Sequence, residues 1–196
     1  MSSLPKPVVV VGPEGTSSLW QSVFDPGATD LRLMERVLAL NPAVIANTPV
    51  TIYLNKEDGT PQYFPGTTSP RGYRTPPLHA AVRSENLPLV ELLCGPGTGR
   101  PYAELNALDR RRHMTALTAA MQVPIQGEDL SQEQWNIAWY LLGRGADINA
   151  GIPSAWAYAS RHAAADEKIR VLYEQMQPLH RGSQDRPGAG EGGPNP

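Results

Sequence analysis

The chain has 196 residues, of which 17 are basic and 19 acidic, and its formal net charge is −2. This length fits one domain of ordinary size or two small ones. A charge so close to balance does not favour nucleic acid as the main partner. The single cysteine, Cys94, excludes a disulfide framework and a cysteine-based zinc site within the chain.

No apolar run approaches the roughly 18 residues of a membrane-spanning helix. The first residues also lack the charged and apolar regions of a secretory signal. We therefore expect a cytoplasmic or nuclear protein without a membrane span.

In chain order, residues 1–7 are predicted to be flexible, and a first helix pair is predicted at 17–24 and 30–40. In the second of these helices Leu31, Met34 and Leu38 recur at the spacing of one helical face. Asn41-Pro42 is expected to end that helix.

A β-hairpin is predicted after this pair, as an insertion over residues 50–71. Residues 50–54 alternate between apolar and polar side chains, Asp58-Gly59 is a typical hairpin turn, and 62–64 form the return strand.

Three further helix pairs are predicted at 76–83 with 87–94, 115–122 with 131–143, and 154–163 with 166–176. Ser131 and Gln134 have the spacing of a capping box, and Pro178 is expected to end the last helix. Residues 181–196 are half glycine and proline and contain no large apolar side chain. This composition predicts a disordered tail.

Two segments of the later helix pairs resemble the ankyrin repeat. Residues 75–82, TPPLHAAV, are similar to the family's helix start, T-P-L-H-x-A-A, and residues 141–150, LLGRGADINA, are similar to its helix end and the start of its finger. The corresponding positions Leu78, Leu117 and Trp156 are 39 residues apart each time. The family's period is about 33 residues, so each unit carries an insertion.

The sequence departs from the family pattern at two places. Arg112 lies near the position where the family favours glycine, and Thr118 stands where the preceding unit has His79. These departures affect the expected loop shapes rather than the stacking.

The resemblance implies an all-α fold over residues 8–180, an ankyrin-like α-solenoid of about four helix pairs with β-hairpin fingers. In this family the histidine at the position of His79 joins neighbouring turns by hydrogen bonds, so we assign His79 a structural role. Stacked units bury one continuous core. Leu93 and Leu142 are predicted to be buried in it.

The resemblance also implies a non-enzymatic protein–protein interaction module, a scaffold that binds through its fingers and the concave face of its first helices. The residues that the resemblance places on this surface are Tyr73, Arg74, Arg83, Ser84, Arg110, Arg111, Arg112, His113, Gln122, Val123, Arg161 and His162.

The charge cluster at residues 109–113 stands out within that set. It is either a solvated finger tip or a contact for a protein with an acidic surface, because arginine binds carboxylates in a bidentate manner. Trp135 and Trp139 share one helix face and are interpreted as core residues, with a partner-facing pair as the alternative.

Two other functions stay open. The insertion 50–64 and the loop 123–130 could close a pocket and make an enzyme, or an obligate accessory subunit of one, with His113, Asp109, Glu128 and Asp129 as acid–base groups. The chain could instead be an effector that acts on a host protein. Its histidines lack metal-ligand spacing and no phosphate-binding glycine motif occurs, so no metal or cofactor is expected.

Overall fold

The computed structural model describes residues 7–11, 31–54, 72–95, 101–122 and 129–184. Within these ranges it contains three strands, β1 Pro7–Val11, β2 Val50–Leu54 and β3 Gly72–Thr75, and eight helices: α1 Arg32–Leu40, α2 Pro42–Asn47, α3 Pro77–Arg83, α4 Leu87–Cys94, α5 Ala116–Ala120, α6 Gln132–Gly143, α7 Ala155–His162 and α8 Glu167–Gln184. This part of the chain is mostly helical, in rough agreement with the predicted all-α class.

The strands form one small antiparallel sheet in which β2 is central. Ile52 pairs with Val10 of β1 on one side and with Tyr73 of β3 on the other. The predicted strand at 50–54 is confirmed. The predicted turn and return strand, at 58–59 and 62–64, lie outside the described residues. The partners that the structure shows for β2 are two strands that were not predicted.

Side-chain caps lie at the start of five of the described helices. The side chains that each accept a hydrogen bond from the backbone N–H three residues further on are those of Asn86, Thr115, Ser131, Ser154 and Asp166. At Ser131 the side chain of Gln134 also accepts from the backbone N–H of Ser131, at 3.1 Å. The predicted capping box is thus confirmed.

The two prolines predicted to end helices, Pro42 and Pro178, behave differently in the structure. α1 does end before Asn41-Pro42, but a further short helix, α2, begins at Pro42 because proline is tolerated in the first helical turn. The predicted end of the last helix at Pro178 is wrong, since Pro178 lies inside α8 and the helix continues to Gln184.

Aromatic stacking explains why α8 continues past its proline. The ring of Trp156 on α7 stacks on Tyr173, at 4.6 Å, and on His180, at 4.2 Å, so that contacts hold α8 on both sides of Pro178. The first four residues of the predicted tail, 181–184, are therefore helical. Residues 185–196, like the predicted helix at 17–24 and most of the flexible segment 1–7, lie outside the described residues.

The later helices pack in pairs, α3 on α4, α5 on α6 and α7 on α8, and successive pairs also contact each other through α3–α5, α4–α6 and α5–α7. The buried core runs through all three pairs, with Leu78, Leu93, Leu117 and Leu141 at 0 to 1% exposure. The prediction for Leu93 is confirmed. The prediction for Leu142 is wrong, because the phase of α6 buries Leu141 and leaves Leu142 half-buried against the core.

Equivalent hydrogen bonds join successive helix pairs. The ring nitrogen Nε2 of His79 lies 2.9 Å from the carbonyl oxygen of Met114, so Nε2 carries the proton that it donates. The hydroxyl of Thr118 donates to the carbonyl of Pro153 at 3.4 Å. Donor and acceptor both move by the same 39 residues, so the sequence period corresponds to a repeated contact in space.

Two asparagine side chains make further links between successive elements. Oδ1 of Asn47 accepts from the backbone N–H of Glu104 at 2.7 Å, and Oδ1 of Asn106 accepts from the backbone N–H of Asp147 at 2.8 Å. Each asparagine thus ties one turn to the turn of the next helix pair.

Candidate functional site

The cluster of three arginines belongs to the loop at residues 106–115, which we call the arginine loop. Its backbone closes on itself: the N–H of Asp109 donates to the carbonyl of Met114 at 2.9 Å, and the N–H of His113 donates to the carbonyl of Asp109 at 2.8 Å. These two bonds hold the intervening residues in one tight turn.

The side chain of Asp109 is the buried anchor of this loop, with only 1% of it exposed. One carboxylate oxygen accepts from the backbone N–H groups of Arg111 and Arg112, at 2.7 and 3.2 Å. The other accepts from Nη2 of Arg83 at 2.8 Å. Burial of a carboxylate is tolerated here because each oxygen has a donor and one donor is charged.

His113 adopts a left-handed backbone conformation, with φ at +54°. The resemblance places a glycine-favouring position near Arg112, and the residue with a positive φ is its neighbour His113. A histidine in this region is strained by the contact of its Cβ with the backbone.

The arginine side chains themselves are exposed, as is that of His113. Nη1 of Arg112 donates to Oε1 of Gln122 at 3.0 Å, which directs this side chain toward the end of α5. No such contact restrains Arg110 and Arg111 among the described residues. Their guanidinium groups are therefore exposed and have no described side-chain partner.

Two exposed apolar side chains border the arginine loop. Leu108, at 44% exposure, directly precedes Asp109, and Ile152, at 77% exposure, lies on the neighbouring turn. The backbone N–H of Ile152 donates to the carbonyl of His113 at 2.8 Å, so the two turns are directly joined. Sequence reasoning missed both residues; the available signal was an apolar residue within an otherwise polar loop.

The structure gathers part of the predicted interaction set around this loop. Arg83 and Gln122 contact it directly, as described above. Ser84 instead caps α3 by donating to the carbonyl of Ala81 at 3.0 Å. The side chain of Tyr73 and the whole of Val123 lie outside the described part of the chain.

The remaining predicted residues lie elsewhere on the fold. Arg74 is exposed on β3, and Arg161 is exposed on α7. His162 is half-buried and its ring stacks on that of Tyr158 at 4.4 Å. These three side chains thus lie on β3 and α7, and none of their described contacts joins them to the arginine loop.

The tryptophan pair lies against the core. Trp135 and Trp139 are partly buried and meet edge to face, with ring centroids 5.5 Å apart. Because the pair is only partly buried, this placement is compatible with core residues and with the partner-facing alternative.

Comparison with known proteins adds no further assignment. No family model, no curated protein and no solved structure matches the chain. Its function must therefore be argued from its own residues and their geometry.

The described acid–base groups of the enzyme hypothesis differ in their surroundings. Asp109 is buried and bound to three donors, while His113 and Asp129 are exposed. Glu128 and most of the two segments expected to close a pocket lie outside the described residues. Among the residues that the structure does describe, no group of histidine, cysteine, aspartate and glutamate side chains could hold a metal ion.

Cys94 is not a nucleophile at neutral pH, because burial raises the pKa of its thiol to about 12.

The described helices also include none with the length and apolar character needed to cross a membrane.

Proposed function

We propose that this chain is a protein-interaction module, built as an ankyrin-like stack of helix pairs, that binds an acidic surface of a partner protein through its arginine loop. The repeated bonds of His79 and Thr118, at an interval of 39 residues, support the stacked-repeat part of the proposal. Repeat arrays of this kind present their loops along one continuous edge.

The observation that carries the functional part is the combination of exposed arginines with a buried anchor. Asp109 fixes the backbone of Arg111 and Arg112 through two hydrogen bonds, so the loop is ordered before a partner arrives. Preorganisation lowers the entropy that binding must overcome.

The flanking apolar side chains of Leu108 and Ile152 give the surface a second property. Interface hot spots combine arginine with apolar contact, and these two side chains supply exposed apolar area beside the arginines. An acidic partner surface with an apolar centre is the best complement to this arrangement.

The test removes two charges without disturbing the loop. Arg110→Ala/Arg111→Ala leaves Asp109, Arg83 and the Arg112–Gln122 bond in place. We expect proteins captured by the parent chain to bind this variant more weakly, mainly through slower association, and the difference to shrink at high salt.

The matched control is Arg36→Ala/Arg181→Ala, which removes the same charge from exposed positions on α1 and α8. It should bind like the parent. Equal capture by the parent and the arginine-loop variant at every salt concentration would show that this loop is not the main contact.

A further inference from the structure

A concave site lies between α1, α4 and α6, on elements other than those of the arginine loop. It is a cavity of about 440 Å³, within the size range of small-ligand sites. Leu38 and Leu92 supply apolar wall, Tyr102 and Tyr140 supply aromatic rings, and Glu35 and Glu91 supply two carboxylates.

The cavity is preformed by the turn that ends α4. Gly95 has φ at +78°, and a Cβ atom there would lie 3.2 Å from atoms of the Tyr102 ring. The glycine therefore lets this ring approach the helix end. The backbone of Tyr102 is also fixed, because its carbonyl accepts from Nδ2 of Asn47 at 2.9 Å.

The carboxylates lack a basic partner in the described part of the chain. Neither Glu35 nor Glu91 forms an ion pair with a described arginine or lysine, including Arg36 on the same helix. Arg144, whose charge acts on Tyr140 together with that of Glu91, donates to the backbone carbonyl of Cys94 at 2.9 Å. The residues that line the described cavity thus include two carboxylates and no arginine or lysine.

The aromatic rings complete the chemistry of the site. Burial raises the pKa of Tyr140, so its phenol stays neutral at physiological pH. Neutral tyrosine rings attract organic cations through their electron-rich faces, and lysine and arginine extend their charge on an apolar stem that packs along leucine side chains.

We propose that this cavity binds a lysine or arginine side chain from a basic segment of a partner protein. The stem of that side chain lies along Leu38 and Leu92, and its charged group lies between the tyrosine rings and the two carboxylates. The site is independent of the arginine loop, and a failure here leaves the proposed function untouched.

The test uses the 196-residue chain labelled with ¹⁵N and three small probes, each a single amino acid with both backbone ends blocked. Nα-acetyl-lysine N-methylamide and Nα-acetyl-arginine N-methylamide carry a cationic side chain, and Nα-acetyl-norleucine N-methylamide carries a neutral apolar one. We expect saturable shifts of the Leu92, Gly95 and Tyr102 amide signals with the cationic probes, and affinity at least about tenfold lower for the neutral one.

Charge removal provides the second arm. Glu35→Gln/Glu91→Gln should weaken binding of the cationic probes by about tenfold or more. The control, Asp129→Asn/Glu133→Gln, removes the same charge from exposed positions outside the cavity and should leave the affinity unchanged. Unshifted amide signals elsewhere in each spectrum verify that the variants are folded.

Three results would overturn the assignment. Equal affinity for the norleucine probe would show an apolar site without charge selection. Equal loss in the control variant would show a general charge effect. Tetramethylammonium binding as tightly as the lysine probe would show that the stem contributes nothing, which excludes a peptide side chain as the favoured occupant.

Discussion

Replacement of Asp109 tests whether a buried carboxylate holds the arginine loop together. Asp109→Ala removes the acceptor of three hydrogen bonds, one from Nη2 of Arg83 at 2.8 Å and two from the backbone N–H groups of Arg111 and Arg112. The variant therefore measures the anchor directly.

The magnitude follows from these three bonds. Each backbone bond contributes about 1 kcal/mol net. The bond to Arg83 is charge-assisted, but the guanidinium side chain is 22% exposed and recovers part of its hydration once released, so we assign it about 1 kcal/mol as well. The free energy of unfolding should fall by about 3 kcal/mol in Asp109→Ala, and by about half of that in Asp109→Asn, which keeps a neutral acceptor.

Urea unfolding measures this loss. With a urea dependence of about 2 kcal/mol per molar, the midpoint should move down by about 1.5 M, whereas the exposed control Arg110→Ala should stay within about 0.5 kcal/mol of the parent. A double-mutant cycle with Arg83→Ala should give a coupling of about 1 kcal/mol. A loss in Asp109→Ala no larger than that of the control would refute the anchor role.

Five other substitutions test the core, the bond between helix pairs and the strained turn. Leu93→Ala should lower the unfolding free energy by about 2–5 kcal/mol and Leu142→Ala by less than half as much, because only Leu93 is fully buried; equal losses in urea melts would contradict the observed phase of α6. Burial lowers the pKa of His79 below 6.5. The unfolded state therefore takes up a proton first, and the free energy of unfolding should fall as the pH drops below about 6.5, by at most about 1.4 kcal/mol per pH unit. Urea melts of His79→Gln across this range should lack that pH dependence. His113→Gly relieves the φ of +54° at some cost in chain entropy, and its melting temperature should match or exceed that of the parent, in contrast to a clear drop for His113→Val.

Local signals in the sequence predicted the helices well. Ser131 with Gln134 marks the start of α6 through a contact between residues three apart, which any helix of that sequence can make. Asn86 and Ser154 act in the same local way at α4 and α7. Such signals need no knowledge of the rest of the fold.

Features that depend on distant contacts could not be predicted in this way. The partners of β2 are segments about 40 residues earlier and 20 residues later, and no local pattern selects them. Pro178 is a helix breaker by local rules, whereas α8 is held on both sides of it by distant contacts, the stacking of Tyr173 and His180 on Trp156 and the bond of His180 to Asn149.

The site shows the same division between local and distant information. The three consecutive arginines are visible in the sequence, and their exposure follows from their charge. The role of Asp109 is not visible, because a carboxylate next to arginines in sequence is as compatible with a solvated tip as with a buried anchor. Arg83, 26 residues earlier, decides between these possibilities, and the sequence places it on the interaction surface instead.

The two junctions between successive helix pairs are joined by different polar contacts, and the difference bears on the proposed function. The junction that carries the arginine loop has a buried histidine bond of 2.9 Å and the ion pair between Arg83 and Asp109. At the next junction Thr118 replaces the histidine, and its shorter side chain reaches the corresponding carbonyl only at 3.4 Å, near the limit of a useful hydrogen bond. That junction also uses Asp166, which accepts from the backbone N–H of Leu130 at 2.6 Å, and Asn106, which accepts from that of Asp147 at 2.8 Å. The histidine bond and the ion pair of the first junction, in contrast, hold Met114 and Asp109 of the arginine loop itself, which is where a preorganised binding surface needs them.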